Sequence, residues 1–451
     1  MKWAIVGGGM MGLTLAYRLL HRRQQVVVLE AAPVIGGLTS AWQIGDVVWD
    51  RFYHVTLLSD TNLRTILREI GLESQIRWVE TKTGFYTQGH LYSMSNSWEY
   101  LKFPPLSFWQ KIRLAVNILY ASRVKDWRDL ESVPVEPWLR RWSGRATTDK
   151  LWLPLIRSKL GEMYHKTSAA FIWAYIQRMY KARQTGLKKE MFGYVPGGYA
   201  RVLDHMRASI IALGGEIRLS MPVHRIGNWS NEQLLVESTG DQSELFDRVV
   251  LTAPSPLVSR ICSGMSEDER TKHDSIEYLG IVCASLLLRK PLSPYYVTNI
   301  LDNGLPMTGV IEMTTIVDPA ELCGHHLVYL PRYASSRDVI FESSDDELQR
   351  MFIAGLAHMY PNFDRADVLA IKIARARYVM ALPTLNYSRN LPPMKTSVPG
   401  LYTVNSSYIV KGNLNVNETI DVAERAIRDF LDPDIARQSQ TVAKVDLVTP
   451  N

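Results

Sequence analysis

The first 30 residues constrain this chain more than any other feature. Lys2-Trp3-Ala4-Ile5-Val6 is an apolar run that reads as a strand. Gly7-Gly8-Gly9-Met10-Met11-Gly12 follows it, a G-x-G-x-x-G turn. Met10, Leu13, Ala16, Leu19 and Leu20 then recur at helical spacing, and Val26-Val27-Val28-Leu29 is a second apolar run that ends on Glu30 and Ala31. In such a turn Gly7 permits the sharp bend, Gly9 lets backbone approach a pyrophosphate, and Gly12 lets the helix pack close to the strand. The phosphates sit on the helix N-terminus, where free N–H groups and the dipole favour negative charge. An acid about 20 residues on, here Glu30, accepts bonds from a ribose hydroxyl. The chain is therefore expected to bind a dinucleotide, and short apolar runs around a helix predict a parallel sheet.

A second glycine pair follows the acid, in Gly36-Gly37-Leu38-Thr39-Ser40. With the first turn, it resembles the extended FAD fingerprint of the monoamine oxidase, protoporphyrinogen oxidase and phytoene desaturase superfamily. That family often has Arg after the pair; this chain has Leu38, so the pyrophosphate lacks one cation. Three further segments carry the resemblance: Pro222-Val223-His224, Asp247 to Pro254 with Thr252 and Ala253, and Pro399 to Asn405 followed by Asn417-Glu418-Thr419-Ile420. The resemblance implies that the Val223 backbone meets the adenine, that the strand before Thr252 returns beneath the cofactor, and that Asn405, Asn417, Glu418 and Thr419 belong to the last flavin-binding strand and helix. Pro196-Gly197-Gly198-Tyr199 fits either a family cofactor contact or a plain helix start.

FAD would carry the redox chemistry, with protein groups supplying orientation and a base. Four segments offer such groups. Trp49-Asp50-Arg51-Phe52-Tyr53-His54 provides His54 as a base or flavin contact, with Asp50 and Arg51 fixing the loop. Lys159, in a mostly apolar helical context, can hold a water or an anionic substrate if desolvated. Arg332 and Tyr333 follow a strand-like run and are candidates for substrate binding, and Tyr387 is a candidate for an aromatic wall. Each residue also has a purely structural reading. No metal site is expected, because the three cysteines are scattered and His325-His326 would point to opposite faces of a strand.

At 451 residues the chain suits two domains. The expected architecture is α/β: a Rossmann-like FAD-binding domain from 1–75, 200–275 and 385–435, with an inserted mixed α+β substrate domain from 76–199 and 276–384. The tail from 436 to 451 is polar and reads as frayed. Cys262, Cys283 and Cys323 read as packing residues in a reducing compartment. No leader pattern or apolar run of about 18 residues is found, so a cytoplasmic chain, soluble or peripheral on the inner face of a membrane, is expected.

Net charge is +6, yet residues 81–190 hold 19 Lys and Arg against 8 Asp and Glu, and 7 of the 12 tryptophans. That basic, aromatic stretch points to an anionic partner. Residues 107–123 form a plausible amphipathic helix with cations Lys111, Arg113 and Arg123, suited to a membrane interface, a tunnel wall or simple domain packing. Nothing accompanies the charge to suggest nucleic acid. The expected function is FAD-dependent oxidation or desaturation of a small or lipophilic substrate by hydride transfer to flavin N5. Two rivals stand beside it. One is a non-redox flavoenzyme resembling UDP-galactopyranose mutase, acting on a nucleotide sugar. The other is a catalytically idle FAD-binding partner at a membrane.

Overall fold

The computed structural model describes residues 1–183, 190–230, 233–240, 242–410 and 413–437. The two N-terminal apolar runs become strands Lys2–Val6 and Gln25–Leu29, joined by helix Met10–Leu20. They pair in parallel, with Ala4 opposite Val27 and Val6 opposite Leu29. Glu216–Arg218 adds to one side, and Arg248–Leu251 then Leu401–Thr403 add to the other, all parallel. Stretches far apart in sequence thus build one five-stranded sheet.

Both faces of that sheet are covered, which is why its strands are continuously apolar rather than alternating. Trp3, Ile5, Val26 and Val28 pack with helices Met10–Leu20, Gly198–Ala212 and Val416–Ala426. Ala4, Val27, Val249 and Leu251 pack on the opposite side with Ile226, Leu234, Val236 and Phe246. These last belong to an antiparallel meander of Val223–Asn228, Leu234–Ser238 and Gln242–Phe246.

A second, seven-stranded sheet runs in the order Val368–Ala381, Tyr278–Leu288, His326–Ser335, Gly309–Glu312, Val297–Ile300, Thr83–Thr87, His90–Ser93. Strand Tyr278–Leu288 is buried along its whole length, and its side chains divide by parity. Val282, Ala284 and Leu286 pack under helix Asp345–Met359 with Phe352 and Leu356. Ile281, Cys283 and Leu287 face a helical layer that includes Leu153–Leu160 and Ala169–Arg183.

Several local expectations change. Proline is expected to break a helix, yet Pro137 lies in the first turn of Val135–Ser143, where its missing N–H costs nothing, and Pro154 lies where the wider π-helical turn Thr148–Trp152 passes into helix Leu153–Leu160. Cys323 is exposed rather than packed. Residues 432–437 continue helically, and the rest of the tail, 438–451, lies outside the described residues. Among the described residues no helix is long and apolar enough to cross a membrane, and no metal-binding cluster is found.

Candidate active site

A cavity of about 850 Å³ runs from the glycine turn of the parallel sheet to a chamber between the second sheet and the helical layer. Its near end is built by the N-terminal motif. Gly7 sits at φ +113°, and a Cβ there would fall 2.2 Å from Thr252 Oγ1. A Cβ at Gly12 would fall 1.9 Å from the Gly7 carbonyl oxygen, so only glycine lets the helix sit this close. Gly36, at φ +112°, leans on Leu203 and donates its N–H to the Gly8 carbonyl at 2.8 Å, which ties the second glycine pair to the first.

Gly9 is different. Its backbone is ordinary, at φ −74° and ψ 175°, and an added Cβ would meet nothing closer than the Gly36 carbonyl at 3.9 Å. The protein alone does not require glycine there, and the space beside its backbone opens into the cavity. Gly9 is also the N-cap of Met10–Leu20 and offers no side-chain cap, and Gly9, Met10 and Met11 line the cavity. The helix start thus presents uncapped amides to an anion. Glu30 lines the same end. Its Oε2 accepts the Gly8 N–H at 2.6 Å and its Oε1 the Ala32 N–H at 2.8 Å, which aims the carboxylate.

Ala31, Gly36, Gly37, Leu38, Thr39, Val223, Thr252, Ala253 and Thr419 also line the cavity. Four expected cofactor residues do not: Gly12, which packs the helix against Gly7, and three residues of the C-terminal segment. Asn405 is buried beneath the cleft, donating to the Ala253 carbonyl at 2.9 Å and accepting from the Ser407 N–H at 2.9 Å. Asn417 turns away, its Oδ1 accepting the Asn62 N–H at 2.9 Å at the start of helix Thr61–Glu69. Glu418 follows it away from the cavity, as its Oε1 accepts from Asn417 Nδ2. The contact passes instead to Asn413, Leu414, Asn415 and Val416. Asn413 Oδ1 is buried there with no partner, an acceptor poised for a ligand. Asn415 caps helix Val416–Ala426, so a second helix N-terminus faces the cleft. An Asn three residues before Glu418 is a capping signal present in the sequence, and it marks the helix start at Val416.

The far chamber is aromatic and apolar. Trp152, Leu155, Ile156 and Lys159 recur at helical spacing and line it from Leu153–Leu160 and the turn before it. Phe171, Ile172, Tyr175 and Arg178 do the same from Ala169–Arg183. Tyr53 and Tyr333 both line it, and their hydroxyls are hydrogen-bonded at 2.9 Å. Lys159 Nζ lies over the Tyr333 ring, 5.7 Å from its centroid. Burial, helped by the Arg178 guanidinium, pulls the Lys159 ammonium down to about 8. Burial also pushes the Tyr53 and Tyr333 hydroxyls above the ordinary phenol range, so they stay protonated.

His54 lines the cavity, its ring tilted against that of Tyr199 with centroids 5.0 Å apart. Its Nδ1 is buried without a partner and stands 3.9 Å from Asp50 Oδ2, too far for a hydrogen bond. Burial drives His54 down to about 4 and Asp50 up to about 8, the latter against the Tyr199 N–H that Asp50 accepts at 2.8 Å. The imidazole is therefore neutral near pH 7, and a poor base.

Arg332 and Tyr387 are corrected. On strand His326–Ser335, Tyr329 and Tyr333 share one face while Val328 and Leu330 share the other. Arg332 has the parity of the second set; its guanidinium lies near Met351 Sδ, under helix Asp345–Met359 and away from the cavity. Tyr387 packs with Ile276 and Tyr278 and donates to the Ser407 carbonyl at 2.8 Å, so it braces a loop, while Tyr378 lines the chamber.

The comparisons agree with this geometry. The family model described as flavin containing amine oxidoreductase matches residues 10–410. Among curated proteins, 15-cis-phytoene desaturase of Arabidopsis thaliana is 22% identical over 255 residues, covering 50% of this chain and 43% of that protein. The match thus spans less than half the length of that relative. Among solved structures, a protein from Exiguobacterium sp. 255-15, provisionally described as a protoporphyrinogen oxidase, has TM-score 0.75 and 17% identity over 95% of this chain and 98% of its own. An engineered putrescine oxidase has TM-score 0.72 and 19% identity over 96% and 99%. At these identities the structures establish the fold.

Proposed function

Because this chain belongs to the flavin containing amine oxidoreductase family and is an FAD-dependent oxidoreductase, we propose that it oxidises or desaturates a lipophilic small molecule taken up in the far chamber. The observation that carries this reading is the continuity of one cavity, from a dinucleotide cradle to an aromatic, apolar pocket. When bound, the flavin supplies a hydride acceptor. The residues present suit it: the Gly9–Met11 amides and the Asn415-capped helix start for the pyrophosphate, Glu30 for a ribose, and the unpartnered Asn413 side-chain Oδ1 as a further acceptor. Tyr53, Tyr296, Tyr333 and Ile281 line the chamber and would wall the substrate from water. The comparisons lend no support to a nucleotide-sugar reaction or to an idle flavin-binding role. The division into a discontinuous cofactor domain, 1–75, 200–275 and 385–435, and a substrate domain, 76–199 and 276–384, is part of the proposal; the separate cores around the two sheets favour two units, and Ile44, Val47, Trp49, Phe52 and Leu57 pack in the core of the second.

A lipophilic substrate fits the exterior. Helix Phe108–Arg123 exposes Trp109, Ile112, Val116 and Leu119 along one stripe, with Trp109 74% exposed, and Trp98 on helix Ser97–Lys102 is 65% exposed. Lys102 sits over the Trp98 ring, and Arg113 is exposed beside the stripe. Lys111 is not one of these cations: it is buried, and its ammonium donates to the Leu101 carbonyl at 2.6 Å. This stripe is proposed to rest on an anionic membrane. The inner neighbour of Phe108–Arg123 is Ala169–Arg183, bound through Trp173 Nε1 to the Val124 carbonyl and Gln177 Nε2 to the Ala121 carbonyl. The other face of Ala169–Arg183 lines the chamber, so the exposed stripe and the pocket are one helix apart.

The test is anaerobic titration of FAD-loaded protein with lipophilic donors bearing saturated or conjugated chains, read as flavin bleaching. Bleaching by a lipophile, with a product shorter by two hydrogens, is the expected result. Turnover that requires pre-reduced flavin and moves no net electrons would overturn it.

A further inference from the structure

Two cations reach the far chamber, Lys159 and Arg178. Arg178 is tied to Asp60, its Nη2 3.3 Å from Oδ2. Among the described residues, no carboxylate lies within ion-pair distance of Lys159; its described partner is the face of Tyr333. Glu190 also lines the cavity and is engaged with its own neighbours. The Tyr53–Tyr333 pair holds two hydroxyl protons and uses one of them internally, which leaves one O–H free to donate. The chamber thus holds an ammonium with three donors and a phenol donor beside it, set in apolar walls. That set matches the two oxygens of a carboxylate.

We infer that the substrate is an amphipathic molecule whose lipophilic body fills the aromatic chamber and whose carboxylate is held by Lys159 with the Tyr53–Tyr333 pair. The inference rests on the lipophilic reading above and narrows it. A protonated amine is disfavoured at this position, because it would stand beside Lys159 and within the field of Arg178 without a free carboxylate to receive it. The carboxylate marks one end of the substrate, so the carbon that loses hydride lies along the chain at a distance set by the chamber, not next to the charge.

The experiment uses the FAD-loaded enzyme and three probes of equal chain length: decanoate, decanol and decylamine, each below its aggregation threshold. Calorimetry reads the three dissociation constants. Charge-assisted hydrogen bonds of the usual strength predict that decanoate binds at least about tenfold more tightly than decanol. Decylamine should bind more weakly than decanol. Lys159→Met should remove the preference for decanoate over decanol, and Lys159→Arg should keep it. Equal binding of decanoate and decanol to wild type overturns the inference and leaves the lipophilic reading standing. So does a decanoate preference that survives in Lys159→Met. Failure of all three probes to bind overturns the lipophilic reading, and the inference with it. The wild-type ranking decides the matter even where Lys159→Met does not fold.

Discussion

Gly9→Ala separates a cofactor requirement from a folding requirement. The backbone at Gly9 is already in a region open to alanine, and the new methyl has 3.9 Å to its nearest protein neighbour. Apoprotein stability should therefore change little. Alanine is a poorer N-cap than glycine, which costs about 0.5–1 kcal/mol, and the less flexible unfolded chain offsets about 0.4–1 kcal/mol of that. The methyl instead projects into the space where phosphate must meet the helix amides. Pushing the phosphate off by the size of a methyl breaks at least one charge-assisted hydrogen bond, about 1.5–3 kcal/mol. At 1.4 kcal/mol per decade this weakens FAD binding by about 10- to 150-fold. The assay is FAD titration of deflavinated protein by fluorescence, beside thermal melts of the apoproteins. Gly12→Ala is the counterpart, because its methyl would lie 1.9 Å from a backbone oxygen. It should destabilise the apoprotein by about 1–3 kcal/mol or more. FAD binding in Gly9→Ala within threefold of wild type, with a stable apoprotein, would refute the phosphate cradle.

Three further outcomes are expected. Asp50 keeps its proton when folded up to about 8, whereas the unfolded carboxyl loses it near pH about 4; stability from this group therefore falls as pH rises across that window and levels above it. The difference in Tm between Asp50→Asn, which retains the acceptor for Tyr199, and wild type should grow in favour of the variant from pH 6.5 to 8, and a constant difference would contradict this. Asn405→Ala should lower stability by about 1–3 kcal/mol, since it strands the Ala253 carbonyl and the Ser407 N–H, with little direct effect on FAD affinity once folded; a stable variant with weak FAD binding would return Asn405 to the cofactor. Replacing Trp98 and Trp109 by Asp should reduce sedimentation with anionic vesicles, and raised salt should weaken wild-type binding as well, while unchanged binding of the double variant would remove the membrane face.

The near end of the cleft was legible because its chemistry is local. Three glycines between an apolar strand and a helix, with an acid closing the next strand, leave few alternatives, and Gly7, Gly9, Gly36, Gly37 and Glu30 all line the cavity. Lys159 was legible for a similar reason, lying in phase with Trp152, Leu155 and Ile156 on one helix face. Arg332 was not, because strand alternation says which residues share a face and never which face meets the cavity. That choice is made by pairing with Tyr278–Leu288, hundreds of atoms from any local signal. Tyr387 is not legible as a loop brace because the bond that turns it inward, to the Ser407 carbonyl, joins residues 20 apart in sequence. Asn417 and Asn413 show the same limit at short range. Asn417 lies inside the first turn of the helix that Asn415 caps, while Asn413 lies before the cap and lines the cleft. Arg178 carried a usable signal, the spacing from Phe171, Ile172 and Tyr175, within a basic stretch whose many charges obscured it.

The central claim is that this cavity holds FAD. The most direct measurement is the absorbance spectrum of the purified protein, joined to mass spectrometry of whatever heat releases from it. The account predicts an oxidised-flavin spectrum and released FAD. A colourless protein that stays colourless after incubation with FAD would contradict it.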